Sequence, residues 1–426
     1  MHPNNSECQS FWLDHIKQLF YNRAMRRISL AEARHFLLCQ QFLATPRSLQ
    51  GKSGIIALFQ RLGCIQFDPV NIVGTNPNVV LQSRVANFTP ALLDEMLYSD
   101  RTLWDGFDKV MSIYLSQYWP YFARCRERMI QQYGGPQREN MQLADEVMQT
   151  VLEKGPVSSL DFDHTDKTDW HWGPTRLARA TLESLFFMGR LGIHHRTGTR
   201  RSFDLVERLL PNELLSQPDP NPTLEEYHDW HILRRIGSMG LSDAGAGDKW
   251  LGILDTKSKE RQVSFSRLIE KGLLEEISIE GLSRQKYFIR TNDLLLLTTD
   301  ISKPSEVVFL SPLDNMLWDR RRLLDLFHFD YTWEVYVPAS KRKYGHYTMP
   351  VLYGHRFIAR FDPILNRKKH QLIVQNWWWE AGIQPGGDMI AALQKAFTAF
   401  AFYLDVEKIF PGENIQGDKV LRNVIG

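Results

Sequence analysis

Three times along this chain two helical segments lead into one or two short strands, a hairpin in the second and third cases, and this recurrence constrains the fold more than anything else in the sequence. Apolar residues three and four apart mark a helix, whereas apolar–polar alternation marks a half-buried strand. In the first unit Ser29 opens a capping box with Glu32, which satisfies two orphan donors at a helix start. Leu30, Ala33, Leu37 and Phe42 line the helix behind it. A second helix near 53–62 carries Ile55, Ile56, Leu58, Phe59 and Leu62, and Gly63 is placed to cap it in the left-handed conformation. A strand over 63–70 follows, and Pro69, which has no ladder donor to give, ends it. A short helix over 90–97 and a polar-faced helical stretch over 114–152 complete the unit.

The second unit begins at a turn over 155–159 that enters a short helix. A stronger helix over 174–188 and a hairpin of 192–196 and 201–205 follow, turning at Thr197, Gly198 and Thr199. The third has helices over 224–239 and 264–271 and a hairpin of 273–279 and 285–290, turning at Glu280 and Gly281. Helix, helix, hairpin is the plan of a winged helix, repeated here in architecture and not in sequence. From Glu306 strands dominate: 307–310, 333–337, a hairpin of 348–353 and 357–362, and 371–379. A helix over 389–403 closes this end, with Ile390, Leu393, Phe397, Phe400 and Leu404 on its apolar side. The predicted class is therefore α+β, with three tandem winged-helix units packed with a small C-terminal β-rich domain. The expected divisions are an N-terminal extension 1–28, units at 29–152, 153–220 and 221–305, and the last domain at 306–426. Within the extension, 11–20 is weakly amphipathic, and Arg23, Arg26 and Arg27 add positive charge.

Composition narrows the function. No apolar run approaches eighteen residues, so no membrane span is expected. The four cysteines form no CxxC pair, and no signal peptide begins the chain, which predicts reduced thiols in a cytoplasmic protein. A Walker loop, a GxGxxG fingerprint and an HExxH pair are all missing, and the 13 histidines lack metal-ligand spacing. Neither metal nor cofactor is expected. The net charge of +2 requires any basic surface to be a local patch. The sequence offers no heptad or dimer helix, so a monomer is expected.

The residues that could carry chemistry fall in three places. On the 63–70 strand Ile65 and Phe67 would face the core while Gln66 and Asp68 share the other face, about 6.5–7 Å apart. An amide and a carboxylate at that spacing can hold one water, or one developing positive charge, between them. The hairpin tip with His194, His195, Arg196, Arg200 and Arg201 suits phosphates. Lys341, Arg342, Lys343, Tyr344 and His346 form a basic run with interleaved aromatics, which fits nucleic-acid contact. On pattern alone the same residues also describe an ordinary solvated strand face, hairpin and loop.

Taken together these segments resemble the winged-helix DNA glycosylases of the AlkZ/YcaQ type, bacterial enzymes that excise alkylated bases and unhook interstrand crosslinks. The resemblance spans about 29–405 and rests on motifs in a shared order: Gln66, Phe67, Asp68 and Pro69, then 80–84, 203–211, 311–320, 336–345 and 352–354. It implies a monofunctional DNA-repair glycosylase for cationic alkylated purines of the N7-alkylguanine type. Its partner would be double-stranded DNA carrying alkylated bases or crosslinks, in the cytoplasm at the nucleoid. Gln66 and Asp68 match the family's Gln-x-Asp form, so Asp68 is expected to activate water and stabilise the oxocarbenium, with Gln66 orienting water or sugar. Without a Lys beside the motif, a Schiff-base step is not suggested. Arg84 is expected to serve a phosphate or to hold the motif strand, with a structural salt bridge as the other reading, and Asp314 and Asp319 to cap turns and lock domains together. The chain departs from its relatives at 74–78, where many have a His-containing segment. It departs again at 108–113, where they tend to carry a His before a Ser-Leu pair, and at His346, where they have Tyr. The competing class is a non-catalytic winged-helix DNA-binding protein or transcriptional regulator, for which Arg176 and Arg179 would be the base-reading candidates.

Overall fold

The computed structural model describes residues 25–171, 173–282, 285–299, 306–415 and 417–425. The amphipathic stretch 11–20 and Arg23 lie outside the described residues. In the first unit the helix Leu30–Gln40 starts at Ser29, and the Ser29 hydroxyl and Glu32 carboxylate cap each other's backbone N–H as expected. The helix Gly51–Leu62 stops at Gly63, whose φ of 76° is open to glycine without steric penalty. The strand Cys64–Gln66 follows and pairs antiparallel with Met111–Leu115, which folds back on Leu103–Phe107 to complete a three-stranded sheet.

That hairpin replaces the start of the helical stretch expected over 114–152. Its signal is hidden because Leu103, Trp104, Asp105 and Gly106 are all buried, and a strand covered on both faces loses its alternation. The helices Ala123–Tyr133 and Ala144–Lys154 form the rest of the stretch.

The second unit has its helix at Leu177–Phe187 and its hairpin at Leu191–Thr197 and Arg200–Leu205. The short helix expected after Gly155 is not formed. Asp161 instead accepts from the Ser158 N–H and hydroxyl, closing a turn, and Val157 bridges to Phe203. The third unit follows its expected plan with Leu224–Met239, Ser258–Glu270, and the strands Leu274–Ile279 and Tyr287–Arg290. Arg26–Ile28 adds a parallel strand beside Leu274–Ile279. The end of the extension is thus built into the third unit's sheet.

The C-terminal domain is a five-stranded sheet ordered Val307–Phe309, Met349–Tyr353, Arg356–Asn366, Gln371–Trp379 and Lys408–Pro411, the last pair parallel. The helix Gly387–Leu404 packs Phe397 and Phe400 against Phe309. Residues 333–337 form no strand. Glu334 is turned instead toward the loop at 343–345, where its carboxylate is consumed.

The domains share their cores. Leu37 of the first unit, Leu241 and Ile277 of the third, and Leu323 and Phe357 of the C-terminal domain belong to one buried cluster. Val73 and Val79, just beyond the motif strand, enter the core of the C-terminal domain. Each such aliphatic side chain contributes roughly 1.5–3 kcal/mol on burial. The segment carrying Gln66 and Asp68 is therefore held between folded bodies and does not hang from one of them.

Candidate active site

The motif strand is clamped by its carbonyls. Gly63 O accepts from Arg234 at 2.7 Å, Cys64 O from the Asn315 amide at 2.9 Å, and Gln66 O from the Asn76 amide at 2.5 Å. These donors come from the third unit, the C-terminal domain and the helix after the motif, so three elements fix one short strand. The ladder ends earlier than the alternation predicts. Phe67 N–H still donates to Met111 O at 2.8 Å, but Asp68 lies beyond the paired residues, in a turn where its Oδ1 accepts from Val70 N–H at 2.9 Å. An Asx turn, not a shared strand face, aims the carboxylate. Phe67 is half-buried rather than fully in the core, and the Arg196 guanidinium lies 4.1 Å from its ring centroid.

Gln66 and Asp68 are both half-buried. Burial raises the Asp68 carboxyl above its usual range, and the Val70 N–H opposes that only in part. The neighbouring phenol of Tyr347 is pushed up by its own burial and further by the charge on Asp68. The Ser311 hydroxyl approaches that phenol without a well-formed hydrogen bond. Since Tyr347 ends the basic loop of the C-terminal domain, that loop and the motif turn meet at one place.

The hairpin brings in a residue that sequence reasoning missed. Lys109, at the turn between Leu103–Phe107 and Met111–Leu115, donates from Nζ to Gln66 Oε1 at 3.3 Å. Its ammonium also lies 5.2 Å from the Trp318 ring centroid. Burial, aided by the like charges of Arg235 and Arg320 and opposed by Asp248 and Cys64, lowers this lysine to about 8. The absence of an amine next to the motif in sequence does not hold in space. The one hint was the departure at 108–113, which contains Lys109.

Asp108 anchors the same turn. Its Oδ1 accepts from Arg235 at 2.8 Å and His231 Nε2 at 3.0 Å, and its Oδ2 from Arg234 Nε at 2.8 Å. Burial would raise this carboxyl, but Arg234, His231 and Arg235 outweigh it and hold it well below the usual carboxylate range. Gly252 packs so closely on the Asp108 carbonyl that a Cβ there would lie 1.7 Å from the oxygen. The third unit therefore fixes the hairpin turn, and the turn positions Lys109 against Gln66.

Arg84 does not face DNA. It is fully buried and binds both oxygens of the equally buried Asp314, each at 2.8 Å, while also donating to Gln41 O and Ser83 Oγ. The phosphate role is corrected to a structural one, joining the end of the helix Asn76–Gln82 to the C-terminal domain. Asp314 also caps Asn315–Leu317, and Asp319 caps Arg320–Phe327 while pairing with Lys249 at 2.7 Å. Both act as the sequence suggests.

At the second unit's hairpin, Arg196 is bound to Asp105 and the Tyr98 hydroxyl, each at 3.0 Å, and Arg201 to Glu183. These two are corrected to internal partners. Arg200 is exposed, and His194 and His195 are half-buried with their Nδ1 atoms 2.9 Å apart.

In the C-terminal loop Lys341 and Lys343 are exposed, and Arg342, Tyr344 and His346 are half-buried. Glu334 accepts from the N–H groups of Lys343, Tyr344 and Gly345 at 2.8, 2.8 and 3.1 Å. Burial would raise the Glu334 carboxyl, but these three donors hold it below its usual value. The loop is thereby shaped before any ligand arrives, with its lysines outward. Among the described residues no cluster of three or more His, Cys, Asp or Glu is placed to hold a metal, and no helix is long and apolar enough to cross a membrane.

A half-buried carboxylate turn thus lies beside a loop that carries exposed lysines, an arrangement suited to DNA. Residues 59–403 match the model of the family described as DNA glycosylase AlkZ-like, and the chain belongs to that family. The fold is similar to that of Streptomyces sahachiroi DNA glycosylase AlkZ, with a TM-score of 0.60 and 16% identity over 90% of this chain and 99% of that one. The chain is thus a DNA-repair glycosylase, a hydrolase of N-glycosyl bonds whose partner is DNA. Of the base-reading candidates for the regulator alternative, Arg176 precedes the helix Leu177–Phe187 and only Arg179 lies on it. Nine of the 11 residues of Leu177–Phe187 are buried, and Arg179 pairs with Glu183.

Proposed function

We propose that this chain hydrolyses the N-glycosidic bond of cationic alkylated purines of the N7-alkylguanine type and unhooks interstrand crosslinks built on such bases. It acts as a monomer on double-stranded DNA, and water alone displaces the base, as a monofunctional glycosylase does at that step. A base that already carries positive charge leaves without a strong general acid. The remaining barrier lies in the oxocarbenium character of the sugar and in aligning the attacking water. A carboxylate serves both, by charge stabilisation and by taking the water's proton.

The observation that carries the reading is the state of Asp68. Asp105, Asp108, Asp314 and Asp319 are each committed to a cation, whereas Asp68 has one backbone donor and a raised pKa. A more basic carboxylate is the better proton acceptor. Gln66, with its carbonyl oxygen held by Lys109, has its amide N–H groups left to orient water or a sugar oxygen. The half-exposure of both residues supports an open cleft, which a crosslinked base requires because it cannot enter a closed pocket.

Two duplexes test this, one with a single N7-methylguanine and one crosslinked through N7 of guanine. Release of free methylguanine, an abasic site in its place, and separation of the crosslinked strands are expected. Binding to both duplexes with release from neither would sink the proposal and restore the DNA-binding reading.

A further inference from the structure

We infer that Lys109 is an amine nucleophile toward the abasic deoxyribose, giving this chain a second, lyase activity on the product of base release. The inference rests on the reading of Gln66 and Asp68 as the place of that release and goes beyond it, because hydrolysis asks of Lys109 only that it hold the Gln66 side chain.

The placement is the first argument. Lys109 Nζ touches the Gln66 side chain at 3.3 Å, so it stands one side chain away from wherever Gln66 meets the sugar. The second argument is the lack of a counterion. Lys249, equally buried nearby, is paired with both Asp243 and Asp319. Among the described residues no carboxylate forms a salt bridge with Lys109: adjacent Asp108 is taken by His231, Arg234 and Arg235, and Asp248 acts on it only from longer range. An amide oxygen and the face of Trp318 are thin compensation for a buried ammonium, and glutamine or methionine would fill the position at smaller cost. Reactive lysines are made this way, by burial among like charges. With its value lowered to about 8, the Lys109 amine is far more often neutral near neutral pH than that of an ordinary lysine.

The chemistry balances without an oxidant or a cofactor. The neutral amine adds to the C1′ aldehyde of the ring-opened abasic sugar, forming a C–N bond. Proton transfer expels water and leaves a protonated imine. Asp68 takes a proton from C2′, the electron pair moves toward the imine, and the C3′–O bond breaks. The downstream strand departs with a 5′-phosphate. Hydrolysis of the imine then releases an unsaturated aldehyde on the upstream strand and regenerates Lys109.

The test uses the full chain and a duplex with a preformed abasic site, so it does not depend on base release. Borohydride reduces an imine to a stable amine and locks the protein to the DNA. The expected result is a covalent adduct with wild type, mapped by mass spectrometry to the peptide containing Lys109. Lys109→Arg, which keeps the charge but forms no such imine, should lose at least about tenfold of that adduct. Absence of adduct with wild type, a map that places it elsewhere, or equal adduct with Lys109→Arg would overturn the inference. The wild-type map decides the matter even if the variant fails to fold. Adduct at Lys109 together with failure to release methylguanine would uphold the inference and count against the proposed function.

Discussion

Removing the charge of Arg84 separates a structural role from a DNA contact. Arg84 and Asp314 are both at 0% side-chain exposure and share two hydrogen bonds of 2.8 Å. Arg84→Met leaves the Asp314 carboxylate in the interior with no cation, and breaking such a pair costs about 3–5 kcal/mol. Asp314→Leu strands the guanidinium in the same way and also removes the cap on Met316 N–H, a further loss of about 1 kcal/mol. The double variant buries no lone charge. Its destabilisation should fall short of the sum of the single effects by roughly 1–3 kcal/mol. Urea denaturation of the four proteins measures the cycle, and DNA affinity across a salt series measures the alternative. If Arg84 neutralised a phosphate, its replacement would flatten the plot of log K against log salt by about 0.9. An unchanged slope with a large loss of stability is the expected outcome. A slope reduced by about one, with stability within about 0.5 kcal/mol of wild type, would refute the assignment.

Three further outcomes follow from the same geometry. Neutralising Lys341, Lys343 or Arg200, each exposed, should reduce the salt slope by up to about 0.9 for every phosphate left without its cation, with sequence preference unchanged. Glu334→Ala removes the acceptor of three backbone N–H groups, so the amides of Lys343, Tyr344 and Gly345 should exchange with solvent at least about tenfold faster while the core stays protected. Asp68 has a folded pKa raised by burial, so its stabilising contribution is present below the unfolded value and lost as pH rises through the folded one. Its ionised form therefore opposes folding at neutral pH. Melting of Asp68→Asn should match or exceed wild type at pH 7, with the gap shrinking toward pH 3; a lower melting temperature at pH 7 would show that the charge is structural.

The outlines of the units could be read from the sequence because their signals are local. Ser29 with Glu32, the amphipathic run ending at Gly63, and the hairpin turns at Gly198 and Gly281 each announce themselves within a few residues. What escaped is long-range. The hairpin carrying Asp108 and Lys109 is covered on one face by the helices of its own unit and on the other by the third unit, and that cover erases its alternation. The partner of Arg84 lies 230 residues away and the partner of Arg234 lies 126 away, so neither ion pair leaves a sequence pattern. Residues 333–337 have strand-like composition, but Glu334 serves the loop at 343–345 in place of a sheet. In the site, Gln66 and Asp68 are adjacent enough to be flagged by their own motif. Lys109, 43 residues from Gln66, becomes visible only through the fold.

Single-turnover base release by Asp68→Asn from an N7-methylguanine duplex tests the central claim most directly. The account predicts a rate at least about tenfold below wild type, or ~1.4 kcal/mol of barrier, in a protein that melts no lower. Release at the wild-type rate by a folded Asp68→Asn would contradict it and move the chemistry to another group.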